Sequence, residues 1–300
     1  MQKMRGGSVY PISWHRQKDP WYFPVLGGLL IVIAIPYLVW RTSIISWDTW
    51  YGLLLYIAEL YGIVTTLLFL FVSWKVYTPK LPNRHLNATV DVLIPTYSEP
   101  LEVLEPVVLG ATKIRGVNEV FVLDDGAREE IKLMAERLRV RYYPRKNGLH
   151  AKAGNLNNGL KYSKSEFIIT LDADHIPLPS FIEQTLNFFH DKNLAFVQTP
   201  QSFYNSDSFL FRKKRDGRLW AEQGMFYNCL QPGKNNCNAG FFVGTSAMLR
   251  RSALDEVGGF ATSTATEDIH TSIKIHAKGW NSIFLPKPLA YGLESESFKE

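Results

Sequence analysis

Paired carboxylates stand directly after apolar runs at two points of the chain. Asp172 and Asp174, with one alanine between them, follow the run Phe-Ile-Ile-Thr-Leu. Two side chains that are two positions apart on an extended chain project to the same side. Because Mg²⁺ takes one or two protein carboxylates together with substrate phosphates, this spacing predicts a metal site for a nucleoside diphosphate. A solvated turn or a helix cap is the commoner use of such a pattern, but the apolar run before it favours the metal site.

The second acidic pair, Asp124 and Asp125, follows the run Val-Phe-Val-Leu and precedes Gly126. A carboxylate at this point can accept a hydrogen bond from a base imide or from a ribose hydroxyl. The alternative is a turn in which glycine supplies a positive φ and aspartate caps the next helix. Both interpretations stay open, since one aspartate can serve each.

A third motif, at residues 150–157, reads His-Ala-Lys-Ala-Gly-Asn-Leu-Asn and opens a predicted helix after a glycine-containing loop. A helix N-terminus with Lys152 and small residues can cradle a diphosphate. The phosphate-binding loop G-x-x-x-x-G-K-S/T is absent from the sequence, so kinase and NTPase chemistry lose support. A surface cation is the alternative for Lys152, and its small and amide neighbours disfavour it.

Thr266, Glu267 and Asp268 begin another predicted helix, after the glycine pair at 258–259. Thr266 can cap this helix, with the two acids in its first turn. Alternatively, Asp268 can act as a general base that removes the proton of a sugar hydroxyl while C1 of a donor sugar is attacked. The spacing supports both interpretations equally.

Apolar runs alternate with amphipathic stretches along the part of the chain that carries these motifs. Strands are predicted over residues 89–96, 119–123, 139–143 and 167–171, and helices over 101–112, 128–138, 152–162 and 179–190. This alternation predicts an α/β fold, with a mostly parallel sheet flanked by helices. Because ligands of such sheets bind at the carboxyl ends of the strands, residues 96–99 should meet the two acidic pairs at one edge.

Two long apolar stretches precede this part of the chain. Residues 21–40 contain no charged residue, and residues 51–74 contain only Glu59. About 20 apolar residues span the hydrocarbon core of a membrane as a helix, and neither stretch has the polar face of a helix on a soluble core. Aromatic residues cluster at their ends, as at a membrane interface. The sequence therefore predicts two transmembrane helices, with the lipid bilayer as a partner.

The excess positive charge is confined to the first part of the chain. Residues 1–85 contain 8 Lys and Arg against 3 Asp and Glu, whereas residues 86–300 are balanced at 25 against 25. A nucleic-acid-binding module would carry the excess itself, so nucleic acid is excluded as a partner. Basic residues flank both apolar stretches, and the positive-inside rule places both outer ends in the cytoplasm. The predicted organisation is a cytoplasmic segment at 1–20, a transmembrane hairpin at 21–75, a linker at 76–88 and a cytoplasmic domain at 89–300.

Seven short motifs follow one another in order: Pro95-Thr-Tyr-Ser-Glu-Pro100, Asp124-Asp-Gly126, His150-Ala-Lys-Ala-Gly-Asn-Leu-Asn-Asn158, Asp172-Ala-Asp-His175, Gln198-Thr-Pro-Gln201, Phe241-Phe-Val-Gly-Thr245 and Thr266-Glu-Asp268. In this order they resemble the bacterial cellulose synthase catalytic subunits, which are membrane-embedded family 2 glycosyltransferases. The resemblance covers nearly the whole chain from Val90 on, and the paired apolar stretches fit it. Single motifs are shared with hyaluronan, chitin and curdlan synthases, and the 150–157 run is the more discriminating piece.

The resemblance implies a GT-A fold that transfers glucose from UDP-glucose, with inversion at C1, to the end of a growing β-glucan chain. It also implies Mg²⁺ as the cofactor, with Mn²⁺ as the alternative, and a multi-pass protein of the inner (plasma) membrane. Other subunits of a polysaccharide synthase complex are further partners that it implies. Neutralisation of the leaving UDP by the metal and a cation would be the main catalytic contribution.

Matched positions carry the family's roles onto this chain. On the donor side, uridine would be contacted by Thr96, Glu99 and Asp124. Lys152 would contact the diphosphate, Asp172 the nucleotide or the donor sugar, and Asp174 would hold the metal. On the acceptor side, the end of the glucan would be bracketed by Phe242, Gly244 and Thr245, with Asp268 as the base.

The sequence departs from the family pattern at two points. Val243 stands where the family usually has cysteine, and the Q-x-x-R-W motif is absent. The second departure leads us to expect a chain truncated before that motif. Two alternatives follow, namely a synthase of another β-glycan of the curdlan, hyaluronan or chitin type, and a catalytically inactive membrane protein that binds nucleotide sugars.

Overall fold

The computed structural model describes residues 12–16, 22–205 and 222–294. Of the predicted segment 1–20, only residues 12–16 belong to this part, and residues 295–300 of the predicted domain lie outside it. The described residues form a pair of long helices followed by an α/β domain.

The two apolar stretches form the helices α1 (Tyr22–Ile44) and α2 (Trp50–Ser73). Both are long and apolar enough to cross a membrane. Gly27 and Ser73 are their buried residues, whereas a helix in the core of a soluble protein would bury most of its side chains. The two predicted helices are therefore present, and α1 continues past Trp40.

The charged residue of the second stretch, Glu59, faces α1. Its Oε2 accepts hydrogen bonds from Nε of Arg41 at 2.8 Å and from the hydroxyl of Tyr37 at 3.2 Å. A charge among apolar side chains is costly unless it is paired. The ion pair accommodates Glu59 and ties α1 to α2.

A short ribbon joins the chain before the helices to the chain after them. Strand β1 (Trp14–Arg16) pairs antiparallel with β2 (Tyr77–Pro79). The predicted linker therefore contains a strand near its start. The chain segments before α1 and after α2 meet beside the same end of the helical pair.

The α/β domain is built on a seven-stranded sheet of described residues, in the order β10-β8-β9-β6-β3-β4-β5. All neighbours are parallel except β9, which runs antiparallel to β6 and β8. The mostly parallel sheet predicted from the sequence is confirmed. Its strands are β3 (Val90–Thr96), β4 (Glu119–Asp124), β5 (Arg141–Pro144), β6 (Phe167–Thr170), β8 (Leu194–Gln198), β9 (Ala247–Arg250) and β10 (Asn281–Phe284).

Helices cover both faces of this sheet. Val92 and Ile94 of β3 belong to one apolar layer, with Leu104 of α3, whereas Leu93 belongs to the other, with Leu156 of α5. Alternate side chains of a strand point to opposite faces, which is why β3 reads as a continuous apolar run. The longer helices of the domain are α3 (Leu101–Thr112), α4 (Glu129–Leu138), α5 (Ala151–Tyr162) and α10 (Glu267–Ala277).

Shorter elements complete the domain. Strand β7 (Ile176–Pro177) pairs with β11 (Ala290–Tyr291), and a wide π-helical turn at Phe226–Leu230 lies between two short helices. The short helices are α6 (Phe181–Thr185), α7 (Glu222–Met225), α8 (Gln231–Lys234) and α9 (Arg251–Val257).

Two predicted elements differ from those observed. The helix expected over 179–190 is α6 followed by a 3₁₀ turn, Leu186–His190. The strand expected from residue 139 starts at Arg141, because Arg139 adopts the left-handed conformation, with φ 56°, that ends α4. This conformation closes the last turn of the helix through backbone hydrogen bonds.

Candidate functional site

The carboxyl ends of β3, β4 and β6 and the start of α5 enclose a cavity of about 510 Å³, here called the strand-end cavity. The loops after parallel strands all leave from this edge, so the side chains that follow the strands converge there. The cavity is lined by Pro95, Thr96, Tyr97, Glu99, Asp125, Gly148, Ala151, Lys152, Asn155, Asp172, Ala173 and Asp174. Most of the donor-side residues singled out in the sequence are thus brought together.

Glu99 folds back onto the end of β3. Its Oε2 accepts hydrogen bonds from the Thr96 hydroxyl at 2.7 Å and from the Tyr97 amide at 2.8 Å. Burial alone would raise the pKa of Glu99, but these hydrogen bonds outweigh it, and the pKa is lowered. The cavity therefore has a fixed, ionised acceptor at this wall.

The two aspartates after β4 serve different purposes. Asp124 is fully buried, and its carboxylate accepts hydrogen bonds from the amides of Gly126 and Arg128, at 3.0 and 2.6 Å, and from the Tyr142 hydroxyl at 3.0 Å. It shapes the turn and the start of α4. Asp125, by contrast, lines the cavity. The structure thus places Asp125, and not Asp124, in the lining of the strand-end cavity.

Arg145 fixes the loop that leads into α5. Its guanidinium forms a bidentate ion pair with Asp125 and donates to the carbonyls of Leu149 at 2.7 Å and Ala151 at 2.9 Å. The loop approaches α5 so closely that a Cβ on Gly154 would overlap the Leu149 carbonyl oxygen. Sequence reasoning missed Arg145, because a single arginine before a loop carries no local signal.

Lys152, in the first turn of α5, forms an ion pair with Asp172 at the end of β6. Burial acts to lower the pKa of Lys152, but Asp172, and then Glu267 and Asp268, act to raise it, and the pKa is raised overall. The ammonium is therefore charged and surrounded by acids. The Asp172 backbone is held as well, since its amide donates to the Thr245 hydroxyl at 2.8 Å.

Asp174 faces the same cavity and is oriented by its neighbour. Its Oδ1 lies 2.7 Å from Nδ1 of His175, whose ring is 3% exposed and packs against Gly292. Possible ligand atoms of Asp172, Asp174 and His175 lie within 4.8 Å of one another. Because the imidazole is held by Asp174 on one side and buried on the other, the two carboxylates are the groups placed to bind a cation. Carboxylate oxygens suit a hard divalent ion.

The predicted acceptor motif forms a loop, residues 241–245, between Lys152 and Asp268. A Cβ on Gly244 would lie 3.3 Å from Nζ of Lys152 and 3.6 Å from Oδ2 of Asp268, and its φ of +86° suits glycine. Phe242 and Thr245 are fully buried and support the loop from within. Of the three predicted acceptor residues, Gly244 is the one that leaves space between the lysine and the aspartate.

Asp268 is the second residue of α10 and is partly exposed. Its Oδ1 accepts a hydrogen bond from the Ile269 amide at 2.7 Å. Thr266 occupies the N-cap position but makes no side-chain cap hydrogen bond among the described residues. Asp268 thus keeps Oδ2 directed toward Gly244, as a base beside that loop would.

Tyr227, in the π-helical turn, is a further residue that sequence reasoning missed. It is 7% exposed, and its hydroxyl donates to Oε1 of Gln201 at 2.9 Å. Burial, and then the charges of Asp268 and Asp172, raise its pKa to about 12. The hydroxyl therefore stays protonated in the electrostatic field of both acids.

An open α/β sheet with acidic groups, a lysine and a helix start around a strand-end cavity defines a nucleotide-binding fold of the GT-A type. The chain belongs to glycosyl transferase family 2, whose family model matches residues 91–258. The GT-A fold expected from the sequence is therefore confirmed.

Curated relatives extend the likeness beyond that region. The chain is 40% identical over 281 residues to "Cellulose synthase 1 catalytic subunit (UDP-forming)" of Komagataeibacter xylinus, a match that covers 89% of this chain and 38% of the relative. It is 38% identical over 283 residues to "Cellulose synthase catalytic subunit (UDP-forming)" of Xanthomonas axonopodis pv. citri strain 306, covering 90% and 39%. The chain thus spans less than half the length of these relatives.

Solved structures share the fold at low identity. A mannosyltransferase from Pyrobaculum calidifontis, in complex with GDP-Man and Mn²⁺, matches with a TM-score of 0.57 and 21% identity, over 71% of this chain and 59% of that one. S. aureus TarS residues 1–349, in complex with UDP-GlcNAc, matches with a TM-score of 0.51 and 15% identity, over 70% and 59%. At such identities the likeness shows the fold alone.

Proposed function

We propose that this protein transfers glucose from UDP-glucose to the end of a growing β-glucan chain, with inversion at C1, as a cellulose-type synthase. The observation that carries the proposal is the convergence of Lys152, Asp172 and Asp268 around Gly244, beside the strand-end cavity. The identity of 40% to a UDP-forming cellulose synthase subunit supports the choice of sugar and product.

The donor nucleotide would occupy the strand-end cavity. Thr96, Glu99 and Asp125 line the wall where uridine would lie, with Asp125 taking the place that the resemblance assigned to Asp124. Carboxylates there can accept hydrogen bonds from the imide of the base or from the ribose hydroxyls. Lys152, which is charged and half-buried, would move from Asp172 to the diphosphate when the nucleotide binds.

Asp174, with Asp172 beside it, would hold a divalent cation, for which Mg²⁺ is our choice and Mn²⁺ the alternative. Two carboxylates with room for substrate phosphates and water fit the usual protein contribution to Mg²⁺ binding. The ion would supply charge neutralisation for the leaving UDP. On the protein side, Lys152 would add a second positive charge to the same diphosphate.

The acceptor would approach from the side of α10. Asp268 would take the proton of the acceptor hydroxyl as that oxygen attacks C1, and Gly244 leaves the space in which the two sugars meet. A carboxylate placed beside the acceptor hydroxyl can take its proton as a general base. Attack from the face opposite the leaving diphosphate gives inversion.

The membrane position of the protein is part of the proposal. Helices α1 and α2 would form a transmembrane hairpin in the inner (plasma) membrane. Both outer ends of the hairpin and the 89–300 domain would lie in the cytoplasm. The short loop between the helices would be outside. Other subunits of a polysaccharide synthase complex would be partners at this membrane.

Calorimetry on the purified chain in lipid nanodiscs tests the donor site. UDP should bind with an affinity that falls when Mg²⁺ is removed by EDTA, and UDP-glucose should bind more tightly than GDP-mannose. Incorporation of radiolabelled glucose into β-1,4-glucan by the whole protein in membranes tests the reaction. Another polymer as product would favour a synthase of the curdlan, hyaluronan or chitin type. UDP binding without glucose transfer would favour a catalytically inactive membrane protein that binds nucleotide sugars.

A further inference from the structure

Gln198, the last residue of β8, is fully buried, and its side-chain amide is bonded to the 241–245 loop. Oε1 accepts a hydrogen bond from the Val243 amide at 3.0 Å, and Nε2 donates to the Thr245 carbonyl at 2.8 Å. These two backbone groups flank Gly244. The side chain thus pairs with the loop as the backbone of a neighbouring strand would.

The loop that Gln198 holds is bonded to both acids of the site. At one end, the Thr245 hydroxyl accepts from the Asp172 amide at 2.8 Å. At the other end, the Phe242 amide donates to the Ser272 hydroxyl at 2.8 Å, and that hydroxyl donates to the Asp268 carbonyl at 2.9 Å. The loop and its hydrogen bonds therefore connect the backbone of Asp172 on the donor side to the backbone of Asp268 on the acceptor side.

We propose that Gln198 is a positioning residue, which fixes the 241–245 loop and thereby holds Asp172 and Asp268 in register across Gly244. The inference rests on the proposed function, because it concerns the geometry of that transfer. The loop precedes β9 and belongs to none of the described strands, so its shape depends on side-chain partners. A displacement of about 1 Å at a reacting centre can lower the rate about 10²-fold.

An amide is needed at this position. Nε2 lies against two carbonyl oxygens, that of Thr245 at 2.8 Å and that of Thr199 at 2.7 Å, while Oε1 faces an N–H group. The orientation of the amide is therefore fixed. Gln198→Glu keeps the shape but sets a carboxylate oxygen against the two carbonyls in a buried place. Gln198→Met keeps much of the volume and removes all of these hydrogen bonds.

Hydrogen–deuterium exchange on the chain in nanodiscs gives the first test. Gln198→Met should speed exchange of the 241–245 amides by about tenfold, which is the order expected from the loss of one or two hydrogen bonds. Exchange in β3 and β4 should be unchanged. Gln184→Met is the matched control, since Gln184 lies in α6 and its Oε1 contacts Lys287, far from the loop in sequence. Unchanged exchange of the loop would overturn the proposal.

Turnover of UDP-glucose by the whole protein gives the second test and separates positioning from stability. Gln198→Met should lower turnover about 10²-fold and change UDP affinity by a smaller factor, because the hydrogen-bond partners of Gln198 do not line the strand-end cavity. Leu104→Ala, on the buried face of α3, is the control for lost stability. Equal loss of turnover in both variants at equal loss of Tm would overturn the proposal. Failure of the wild type to bind UDP would instead refute the proposed function, and the exchange test would still decide whether Gln198 holds the loop.

Discussion

Asp125 and Arg145 form a bidentate ion pair beside the strand-end cavity, with Oδ1–Nε and Oδ2–Nη2 distances of 2.5 and 2.6 Å. The side chains are only 5% and 12% exposed. Since the same guanidinium also holds the carbonyls of Leu149 and Ala151, one residue links the end of β4 to the start of α5. The place of Lys152, one residue further on, depends on this link.

Arg145→Lys tests this dependence, because lysine keeps the charge but not the forked geometry. We expect UDP affinity to fall about tenfold or more, as each hydrogen bond to a charged group contributes about 1.5–3 kcal/mol. Calorimetry measures it. Arg137→Lys is the matched control, since Arg137 pairs with Glu105 on the surface and its side chain is 61% exposed. Equal affinities in the two variants would mean that the ion pair does not shape the site.

Asp174→Asn should separate metal binding from acid–base chemistry. The substitution removes the charge at the proposed cation site, so the increase in UDP affinity on adding Mg²⁺ should largely disappear. Asp268→Asn should keep that increase, because Asp268 lies on the other side of Gly244. Titrations of UDP with and without Mg²⁺ measure both. Loss of the Mg²⁺ effect in both variants alike would contradict the assignment of Asp174.

Ionised Glu99 should stabilise the folded protein, and this contribution should be lost at acidic pH. Its pKa is lowered by the hydrogen bonds from Tyr97 and Thr96, which outweigh burial, so folding favours the ionised form. The contribution is therefore present above the unfolded pKa of about 4.3 and is lost as pH falls through the folded pKa. Glu99→Gln should flatten the decline of Tm below that pH. An unchanged acid slope would show that Glu99 is not coupled to folding.

Reporter fusions test the orientation of the helical pair. Fusions after Lys18 and after Arg84 should both report the cytoplasm, because basic residues flank the hairpin on these two sides. A fusion after Trp47, in the loop between α1 and α2, should report the outside. A reversal of all three results would refute the orientation, and any other combination would refute the hairpin.

The alternation of strands and helices from residue 89 to residue 171 is predictable, because each of these elements has a long and regular apolar pattern. The later strands are different. β9 enters the sheet antiparallel between β6 and β8. Its partners on β6 are 77 to 83 positions away in sequence, such as Thr170 with Ala247, and its partners on β8 are 49 to 53 positions away. Spacing along the chain carries no signal for such a pairing.

The acids and the lysine of the site are predictable because they follow apolar runs or open helices. The residues that hold them are not. Arg145 pairs with Asp125, 20 positions away, and Gln198 accepts a hydrogen bond from the amide of Val243, 45 positions away. The residues around Arg145 and Gln198 in the sequence do not indicate these partners. The resemblance assigned a uridine contact to Asp124, whereas Asp125 is the member of the pair that lines the strand-end cavity, and the spacing of two adjacent aspartates does not show which of them does so.

Asp268→Asn is the most direct test of the reaction. Asparagine preserves the shape at the start of α10 and can still accept from the Ile269 amide, but it cannot take a proton. General-base assistance typically contributes about 10²–10⁴-fold in rate, so turnover of UDP-glucose by the whole protein should fall by that order. UDP affinity should not fall. The substitution removes the charge of Asp268 near Lys152, but the ion pair with Asp172, which is the stronger influence on the pKa of Lys152, keeps the ammonium protonated. Asp255→Asn, at an exposed position on α9, is the matched control and should leave both quantities unchanged. If Asp268→Asn retains normal transfer, another group removes the proton, and Asp268 then serves only to begin its helix.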